Sequence, residues 1–370
     1  MTVLHIIDSI DYSGSARQLS LLAKAQVDST MVCCLGAETS WSAALREAGV
    51  KVHVLGWTRW LDFSAWWNLR SLVRDLAPDV IHAWRPLALR VLATVAPSFL
   101  PRVVMSGPLS SRGEFGWLDQ TLAGRIGRLA VAGNTDRDQC IRLGIAPSML
   151  RVVSPAVMAA DGDRRHHALR EESDTWSVNP TTAVSEQPDH SGEFIIAFVG
   201  NLERDEGCRQ AIWAFDFLRQ LYTNARLHVV GAGSQYDDAR GLAHGLECAP
   251  QVDFLGELSN TTRVLQNADV VWVPSMANCG RQTALDAMAL GGPVVGSDVP
   301  CLREMIRDGE TGILTPVADI VQLARRTHAL LQNAALRARI GQSAQAWVRQ
   351  HCDLTTAVSR WNEIYQEIAA

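Results

Sequence analysis

Short runs of β-branched and aliphatic residues alternate with longer amphipathic stretches from the start of the chain. The first run covers residues 3–7, and a polar loop at residues 8–15 separates it from a helical pattern that begins at about Ala16. Further strand runs, each followed by a predicted helix, cover residues 30–35, 50–55, 80–83, 102–105 and 129–131. Strands that alternate with helices are typical of βαβ units, so the pattern predicts a parallel sheet covered by helices.

The alternation stops at residues 159–192, which are rich in Asp, Glu, Arg, His, Ser and Pro and contain few aliphatic residues. This composition is typical of a flexible linker or insertion, because such a segment buries little apolar surface. The alternation then resumes. The later strand runs cover residues 194–199, 226–230, 251–255, 270–273 and 293–296, with helices predicted at 208–221 and 283–290.

The pattern therefore predicts an α/β fold with two tandem Rossmann-like, doubly wound domains at residues 1–158 and 193–345. Residues 159–192 are the predicted linker, and residues 346–370 are expected to form a C-terminal helix that packs back on the N-terminal domain. Ligands of such sheets bind beyond the carboxyl ends of the strands. We therefore expect the binding site in the cleft where the two domains face each other.

Composition narrows the class of protein. The chain has 370 residues, of which 47% are hydrophobic and 20% charged, so it can build two cores. A formal net charge of -5 argues against nucleic acid as a partner, because neutralising a phosphate backbone requires clustered Lys and Arg. The eight cysteines form no C-x-x-C pair, which predicts reduced thiols and no metal site. The first residues lack a cationic region followed by a long apolar run, which predicts no leader or anchor and a cytoplasmic location.

Several segments of the second half have a recognisable sequence and spacing. Residues 268–275 read ADVVWVPS and residues 284–297 read ALDAMALGGPVVGS, followed by DGETG at 308–312 and WNEIY at 361–365. In these segments the chain resembles family 4, also called group 1, of the retaining GT-B glycosyltransferases. The resemblance implies a GT-B fold and transfer of a sugar from a nucleoside diphosphate sugar, its co-substrate, to an acceptor. It also implies that neither a metal nor another cofactor is needed.

The resemblance places the donor site at particular residues. One glycine follows the first strand, and two further segments, FVGNLERDEG at 198–207 and HVVGAG at 228–233, match the family's strand-and-turn units. The donor-binding positions implied in this way are Gly14, Gly200, Gly231, Gly233, Arg281, Thr283, Asp286 and Glu304. Glycines at such turns allow backbone to approach phosphate groups closely, although tight turns alone also require them.

The chain departs from the family at four positions. The Arg and Lys that neutralise the diphosphate in the family correspond here to Asn201 and Glu206, and the first acid of the E-x7-E pair corresponds to Asn278. The histidine of the family's T-x-H strand corresponds to Pro108. Asn201, Glu206 and Asn278 are therefore the candidate catalytic positions. Our hypothesis is that Arg281 partly replaces the missing cations, because a guanidinium group can grip a diphosphate.

The acceptor side of the cleft gives weaker signals. His82, Arg85 and Arg112 follow or end predicted strands of the N-terminal half, so they are candidates to face the cleft. A histidine on an apolar strand also fits a purely structural role. The tryptophan-rich stretch at residues 57–67 either covers the sheet or makes a peripheral contact with a membrane, and the exposure of Trp57 and Trp60 separates these alternatives.

Three functions remain open at this point. The first is sugar transfer to an acceptor that is a glycan, a lipid or a small molecule. The second is a catalytically silent GT-B protein that binds a ligand or partner and regulates a pathway, which the four departures favour. The third and weakest is an epimerase of nucleotide sugars, because the fold and pocket are shared. The sequence leaves the sugar, the nucleotide, the acceptor and the oligomeric state open.

Overall fold

The computed structural model describes residues 1–10, 14–57, 63–106, 117–157, 192–258 and 260–370. In these residues the chain forms two parallel sheets. The first sheet has the order β3-β2-β1-β4-β5-β6-β7. Its strands are β1 (Val3–Ile7), β2 (Thr30–Cys34), β3 (Lys51–Val54), β4 (Val80–Trp84), β5 (Val103–Ser106), β6 (Arg128–Val131) and β7 (Leu150–Val152). Its connecting helices are α1 (Gly14–Ala25), α2 (Ser40–Glu47), α3 (Phe63–Leu76), α4 (Pro86–Val95), α5 (Trp117–Ala123) and α6 (Asn134–Arg142).

The second sheet has the order β10-β9-β8-β11-β12-β13 and belongs to the C-terminal half. Its strands are β8 (Phe194–Val199), β9 (Ala225–Val230), β10 (Val252–Gly256), β11 (Val270–Val273), β12 (Val294–Ser297) and β13 (Ile313–Thr315). The helices of this half are α7 (Cys208–Arg219), α8 (Tyr236–Gly245), α9 (Thr262–Asn267), α10 (Arg281–Ala289), α11 (Pro300–Arg303), α12 (Ile320–Leu331), α13 (Ala334–His351) and α14 (Leu354–Ala369). The predicted pair of Rossmann-like domains is thus confirmed.

Alternation of side chains along each strand explains the layers. Leu4 and Ile6 of β1 belong to the apolar cluster on one face of the first sheet, and Val3 and Ile7 belong to the cluster on the other face. Successive residues of a strand point to opposite faces, so a strand buried on both sides is a continuous apolar run. The five residues of β1 are accordingly all buried. Helices therefore cover the sheet on both faces.

The last two helices belong to different halves. Ala344 and Val348 of α13 pack in a cluster of the C-terminal sheet. Trp361 and Tyr365 of α14 instead pack against the N-terminal sheet. Between α13 and α14 the chain returns from the C-terminal half to the N-terminal half. This return lies beside the end of the N-terminal domain, because the amide of Val157 donates to the Cys352 carbonyl at 3.1 Å.

Each sheet has a point where its winding direction reverses. In the first sheet this point lies between β1 and β4, and in the second it lies between β8 and β11. Loops after neighbouring strands diverge at such a reversal and leave a crevice at the carboxyl ends. The helices α1 and α10 begin beside these two points, and Gly14 of α1 lies against Gln282 of α10.

Trp57 packs partly buried against the core of the N-terminal domain. Its ring meets that of Trp66 edge to face, with the ring centres 6.2 Å apart. This packing favours the covering role for Trp57, whereas Trp60 lies outside the described residues. Trp67 on α3 is 70% exposed. No helix within the described ranges is long and apolar enough to cross a membrane.

Candidate functional site

A cavity of about 400 Å³ lies between the carboxyl ends of the two sheets. On the N-terminal side its wall includes the start of α1, the ends of β4 and β5, and Asp136 of α6. On the C-terminal side the wall is built by the loop after β8 and by residues 278–283, which lead into the first turn of α10. Both halves of the chain therefore contribute to one site.

Asp286 lies on the cavity side of α10 and is 7% exposed. Its carboxylate pairs with Arg17 of α1 at 2.9 Å and accepts a hydrogen bond from Gln282 at 3.1 Å. Burial raises the pKa of Asp286 to about 6, although Arg17 and Gln282 act in the opposite direction. Gln282 also accepts a hydrogen bond from Gln18 at 2.9 Å, so α1 and α10 are joined across the cleft by two polar contacts.

A second polar cluster joins the domains on another side of the cavity. Arg281 donates to Glu304 at 2.7 Å and to Asp136 of the N-terminal domain at 3.4 Å. Asn278 donates to the same Asp136 at 3.1 Å, and Glu304 accepts from the backbone amide of Thr135 at 2.5 Å. The guanidinium group of Arg281 thus lies between two carboxylates.

The cluster shifts the pKa values of its two acids in opposite directions. Burial raises the pKa of Asp136, against the attraction of Arg281. Burial also opposes ionisation of Glu304, but the bonds from Thr135 and Arg281 outweigh it and lower the pKa of Glu304. Hydrogen bonds to an ionised carboxylate stabilise that form, so Glu304 carries the charge that pairs with Arg281.

The positions where the family has cations lie on the cavity wall. Asn201 is exposed and follows β8, and Glu206 is half-buried in the same loop. Gly200 also lines the cavity, near the carboxylate of Glu206. Asn278 lines it as well and accepts from the Cys301 amide at 2.7 Å. Asn201, Glu206 and Asn278 thus line the same cavity, and their role in catalysis stays a prediction.

The remaining predicted donor residues separate into two groups. Gly14 and Thr283 line the cavity, and the Thr283 hydroxyl donates to the Val199 carbonyl at 3.0 Å. Gly231 and Gly233 are not part of its described wall. A side chain at Gly233 would come within 2.5 Å of the Leu202 carbonyl oxygen, and the φ angle of 157° is itself unfavourable for other residues. The packing of the turn is thus sufficient reason for glycine at Gly233.

The three acceptor-side candidates have different environments. His82 is fully buried behind the cavity wall and bonds to two hydroxyl groups. Arg85 lines the cavity and pairs with Asp8 at 3.1 Å, and its φ of 76° is rare for a residue with a side chain. Arg112 and Pro108 lie outside the described residues.

Sequence reasoning missed Arg17, Gln18 and Asp136, which all line the cavity. The only feature of the local sequence that could have identified them is their position near the start of a helix. Arg17 and Gln18 lie near the start of α1, which begins at Gly14, and Asp136 lies in the first turn of α6. Among the described residues, no group of three or more His, Cys, Asp or Glu side chains is arranged to hold a metal ion.

A family model described as glycosyl transferases group 1 matches residues 181–347. This match confirms that the C-terminal half of the chain resembles the group 1 glycosyltransferase family.

Two curated relatives each match just under half of the chain. Over 178 residues the chain is 30% identical to a phosphatidyl-myo-inositol mannosyltransferase of Mycobacterium leprae, covering 47% of this chain and 46% of the relative. Over 176 residues it is 27% identical to the N-acetyl-alpha-D-glucosaminyl L-malate synthase of Bacillus anthracis, covering 48% and 46%. The chain spans about half the length of the curated relatives it matches.

Solved structures match nearly the whole chain. HepE of Anabaena, solved in complex with UDP-glucose, superposes with a TM-score of 0.82 at 20% identity and covers 98% of both chains. WaaG, a glycosyltransferase involved in lipopolysaccharide biosynthesis, superposes with a TM-score of 0.69 at 14% identity, covering 96% of this chain and 98% of WaaG. These likenesses confirm the GT-B fold.

Proposed function

We propose that this protein transfers a hexosyl group from a nucleoside diphosphate sugar to a hydroxyl group of an acceptor, with retention and without a metal ion. The observation that carries the proposal is the interdomain cavity whose C-terminal wall contains the first turn of α10 and Asp286. That wall lies inside the group 1 glycosyltransferase domain. We place the acceptor, whether glycan, lipid or small molecule, on the side of the N-terminal domain.

In this proposal, α10 binds the nucleotide part of the donor. Asp286 corresponds to the second acid of the family's E-x7-E pair and accepts hydrogen bonds from the ribose hydroxyls. The first turn of a helix has backbone N–H groups without acceptors and a positive partial charge, which suits a diphosphate. Residues 281–283 form that turn and line the cavity.

We assign the principal cation for the diphosphate to Arg17 rather than to Arg281. Arg281 is 15% exposed and lies between Asp136 and Glu304, so two negative charges already oppose its positive charge. Arg17 is 30% exposed, lines the cavity and pairs with Asp286. Its guanidinium group has several N–H donors, so it can bind a phosphate oxygen while it keeps the contact with Asp286.

The reaction breaks the bond between the anomeric carbon and the phosphate oxygen. The acceptor hydroxyl forms the new bond to the same carbon, the bonding electrons leave with the nucleoside diphosphate, and the hydroxyl proton is released. Closure of the two domains around the donor excludes water, which would otherwise compete as acceptor. Fixed cations and helix amides would stabilise the leaving diphosphate.

One observation supports the second candidate function, a silent protein that binds a ligand without turnover. Among the residues that the structure describes, the acids of the cavity wall outnumber its three arginines; they are Asp136, Glu203, Asp205, Glu206 and Asp286. A net negative wall weakens the binding of a diphosphate and its stabilisation as a leaving group. Under the hypothesis of a silent protein, we therefore expect sugar transfer to be slow or absent.

A two-stage experiment separates the functions. First, thermal unfolding is measured with UDP, GDP, ADP and their glucose and mannose derivatives, because a ligand of the folded state raises the Tm. Second, the sugar nucleotide that binds is incubated with candidate acceptors, and release of nucleoside diphosphate is followed. Binding with release supports the transferase, binding without release above background hydrolysis supports the silent protein, and no binding contradicts both.

The assignment of the cation is tested in the same assays. We expect Arg17→Ala to weaken binding of the nucleoside diphosphate about tenfold or more, and Arg281→Ala to weaken it less. The opposite order would restore Arg281 as the principal cation. Arg74→Ala is a matched control, because Arg74 is 71% exposed on α3 of the same domain and is not part of the described cavity wall.

A further inference from the structure

A chain of three hydrogen-bonded side chains runs from the C-terminal helix to the floor of the cavity. The Tyr365 hydroxyl on α14 bonds to Nδ1 of His82 at 2.8 Å. Nε2 of the same ring bonds to the Ser106 hydroxyl at 2.7 Å, and Ser106 ends β5 at the cavity wall. Tyr365 and His82 are fully buried, and Ser106 is 7% exposed.

The direction of the protons in this chain can be worked out. Burial, together with the neighbouring His5, lowers the pKa of His82 well below its usual value, so the ring is neutral and has one N–H group. Within the described part of the chain, the bond to His82 is the sole hydrogen bond of the Tyr365 hydroxyl. If Nδ1 carried the proton, the tyrosine hydrogen would be buried without an acceptor, which is unfavourable.

Tyr365 therefore donates to Nδ1, and the ring proton lies on Nε2 and is donated to Ser106. The serine oxygen already accepts this bond, so its own hydrogen points elsewhere. Among the described residues no side chain or carbonyl accepts from the Ser106 hydroxyl. Ser106 lines the cavity, and we infer that its O–H group points into it as an oriented donor to whatever binds there.

The surroundings of Ser106 suit a sugar ring. Trp84 and Trp361 line the same part of the cavity, and the His82 ring stacks on Trp84 with ring centres 4.1 Å apart. The indole N–H of Trp84 is used by Nδ1 of His5 at 3.0 Å, so Trp84 contributes apolar surface to the wall. Sugars combine apolar ring faces with hydroxyl oxygens, and a wall of aromatic residues with one fixed donor complements both.

We propose that Ser106 donates a hydrogen bond to a hydroxyl oxygen of the transferred sugar, and that His82 and Tyr365 are positioning residues which fix the direction of this donor. The proposal rests on the proposed function, because the sugar enters as part of the donor. It gives the N-terminal domain a sugar contact two residues before Pro108, where the family's histidine is missing.

The test compares a sugar nucleotide with its nucleoside diphosphate. Calorimetric affinities are measured for the pair that gives the largest rise of Tm in the screen with UDP, GDP, ADP and their glucose and mannose derivatives. Ser106→Ala is expected to reduce the affinity for the sugar nucleotide about fivefold to tenfold and to leave the affinity for the nucleoside diphosphate within about twofold. Tyr365→Phe should give a smaller loss in the same direction, because it leaves the His82 proton free to move to the other nitrogen.

The chain offers a matched control in its C-terminal domain. Tyr222 bonds to Nδ1 of His328 at 2.9 Å, and neither residue belongs to the described wall of the cavity. Tyr222→Phe thus removes the same kind of tyrosine–histidine bond without reaching the site, and it should leave the two affinities unchanged. Ser106→Thr keeps the hydroxyl group and should retain most of the preference for the sugar nucleotide.

The outcomes are distinct. Equal losses for the two ligands in Ser106→Ala would overturn the proposal, because they would place the hydroxyl on the nucleotide or give it a purely structural role. Unchanged affinities in Ser106→Ala would also overturn it. If no nucleotide binds the wild-type protein, the proposed function fails and the sugar contact falls with it.

Discussion

The buried carboxylate of Asp286 gives the protein a specific dependence of stability on pH. The folded-state pKa of Asp286 is raised from 3.8 to about 6, with burial as the main cause. Between these values the folded protein binds more protons than the unfolded chain, so the free energy of unfolding falls as the pH rises. The favourable contribution is complete only well below the unfolded-state pKa of 3.8 and is lost as the pH rises through about 6.

The magnitude follows from the two pKa values. At about 1.36 kcal/mol per pKa unit the full effect is about 3 kcal/mol, of which about 2 kcal/mol is lost between pH 4 and pH 7. Asp286→Asn removes the ionisation and keeps the shape of the side chain. Arg17 is 30% exposed, so water can solvate it after its partner becomes neutral. We therefore expect the variant to gain about 2 kcal/mol relative to the wild type over this pH range.

Urea unfolding followed by tryptophan fluorescence at pH 4, 5.5 and 7 measures this difference, since the chain contains twelve tryptophans. Other carboxylates titrate in both proteins, so the informative quantity is the variant minus the wild type at each pH. Asp253→Asn serves as the control, because Asp253 pairs with Arg226 at 2.7 Å within the C-terminal domain and is much more exposed. A constant difference between Asp286→Asn and the wild type across the pH range would refute the reasoning.

Two further predictions concern the charged groups of the cavity. Arg281→Ala leaves the partly buried carboxylates of Asp136 and Glu304 without their cation, so urea unfolding at pH 7 should show a loss of about 2–3 kcal/mol. A loss below about 1 kcal/mol, as expected for an exposed surface pair, would contradict this. Glu206→Lys restores the family's charge on the cavity wall, and calorimetry should show about tenfold tighter binding of the nucleoside diphosphate at low salt, with a smaller gain at high salt. Unchanged affinity in Glu206→Lys would show that the diphosphate does not bind near Glu206.

Much of the fold can be predicted because its strands are buried on both sides. The run at residues 194–199 coincides with β8, and the run at 270–273 coincides with β11. The strands β7 and β13 were not predicted. Each lies at the edge of its sheet and has three residues, and three residues are too few to establish a pattern of alternation.

The site could be predicted only on the side where local sequence determines it. The loop and first turn of α10 follow β11 directly, so the segment places Asn278, Arg281 and Asp286 at one end of the sheet. The partners of these residues come from the other domain. Arg281 and Asp136 are 145 positions apart, and no local pattern encodes a contact that depends on how two domains pack.

The pairing of charges across the cleft also determines how the site must respond to a ligand. The described cavity wall contains Arg17, Arg85 and Arg281, and each has a carboxylate partner in the absence of ligand. A diphosphate that binds to one of these described arginines either shares the cation or displaces its carboxylate partner, and displacement leaves a buried or partly buried carboxylate unpaired. Sharing is least costly at Arg17, which is the most exposed of the three and has a partner that burial already disposes towards protonation. Under the proposed function, donor binding is coupled to the contact between α1 and α10, because the Arg17 guanidinium group that would bind the ligand also pairs with Asp286 of the other domain.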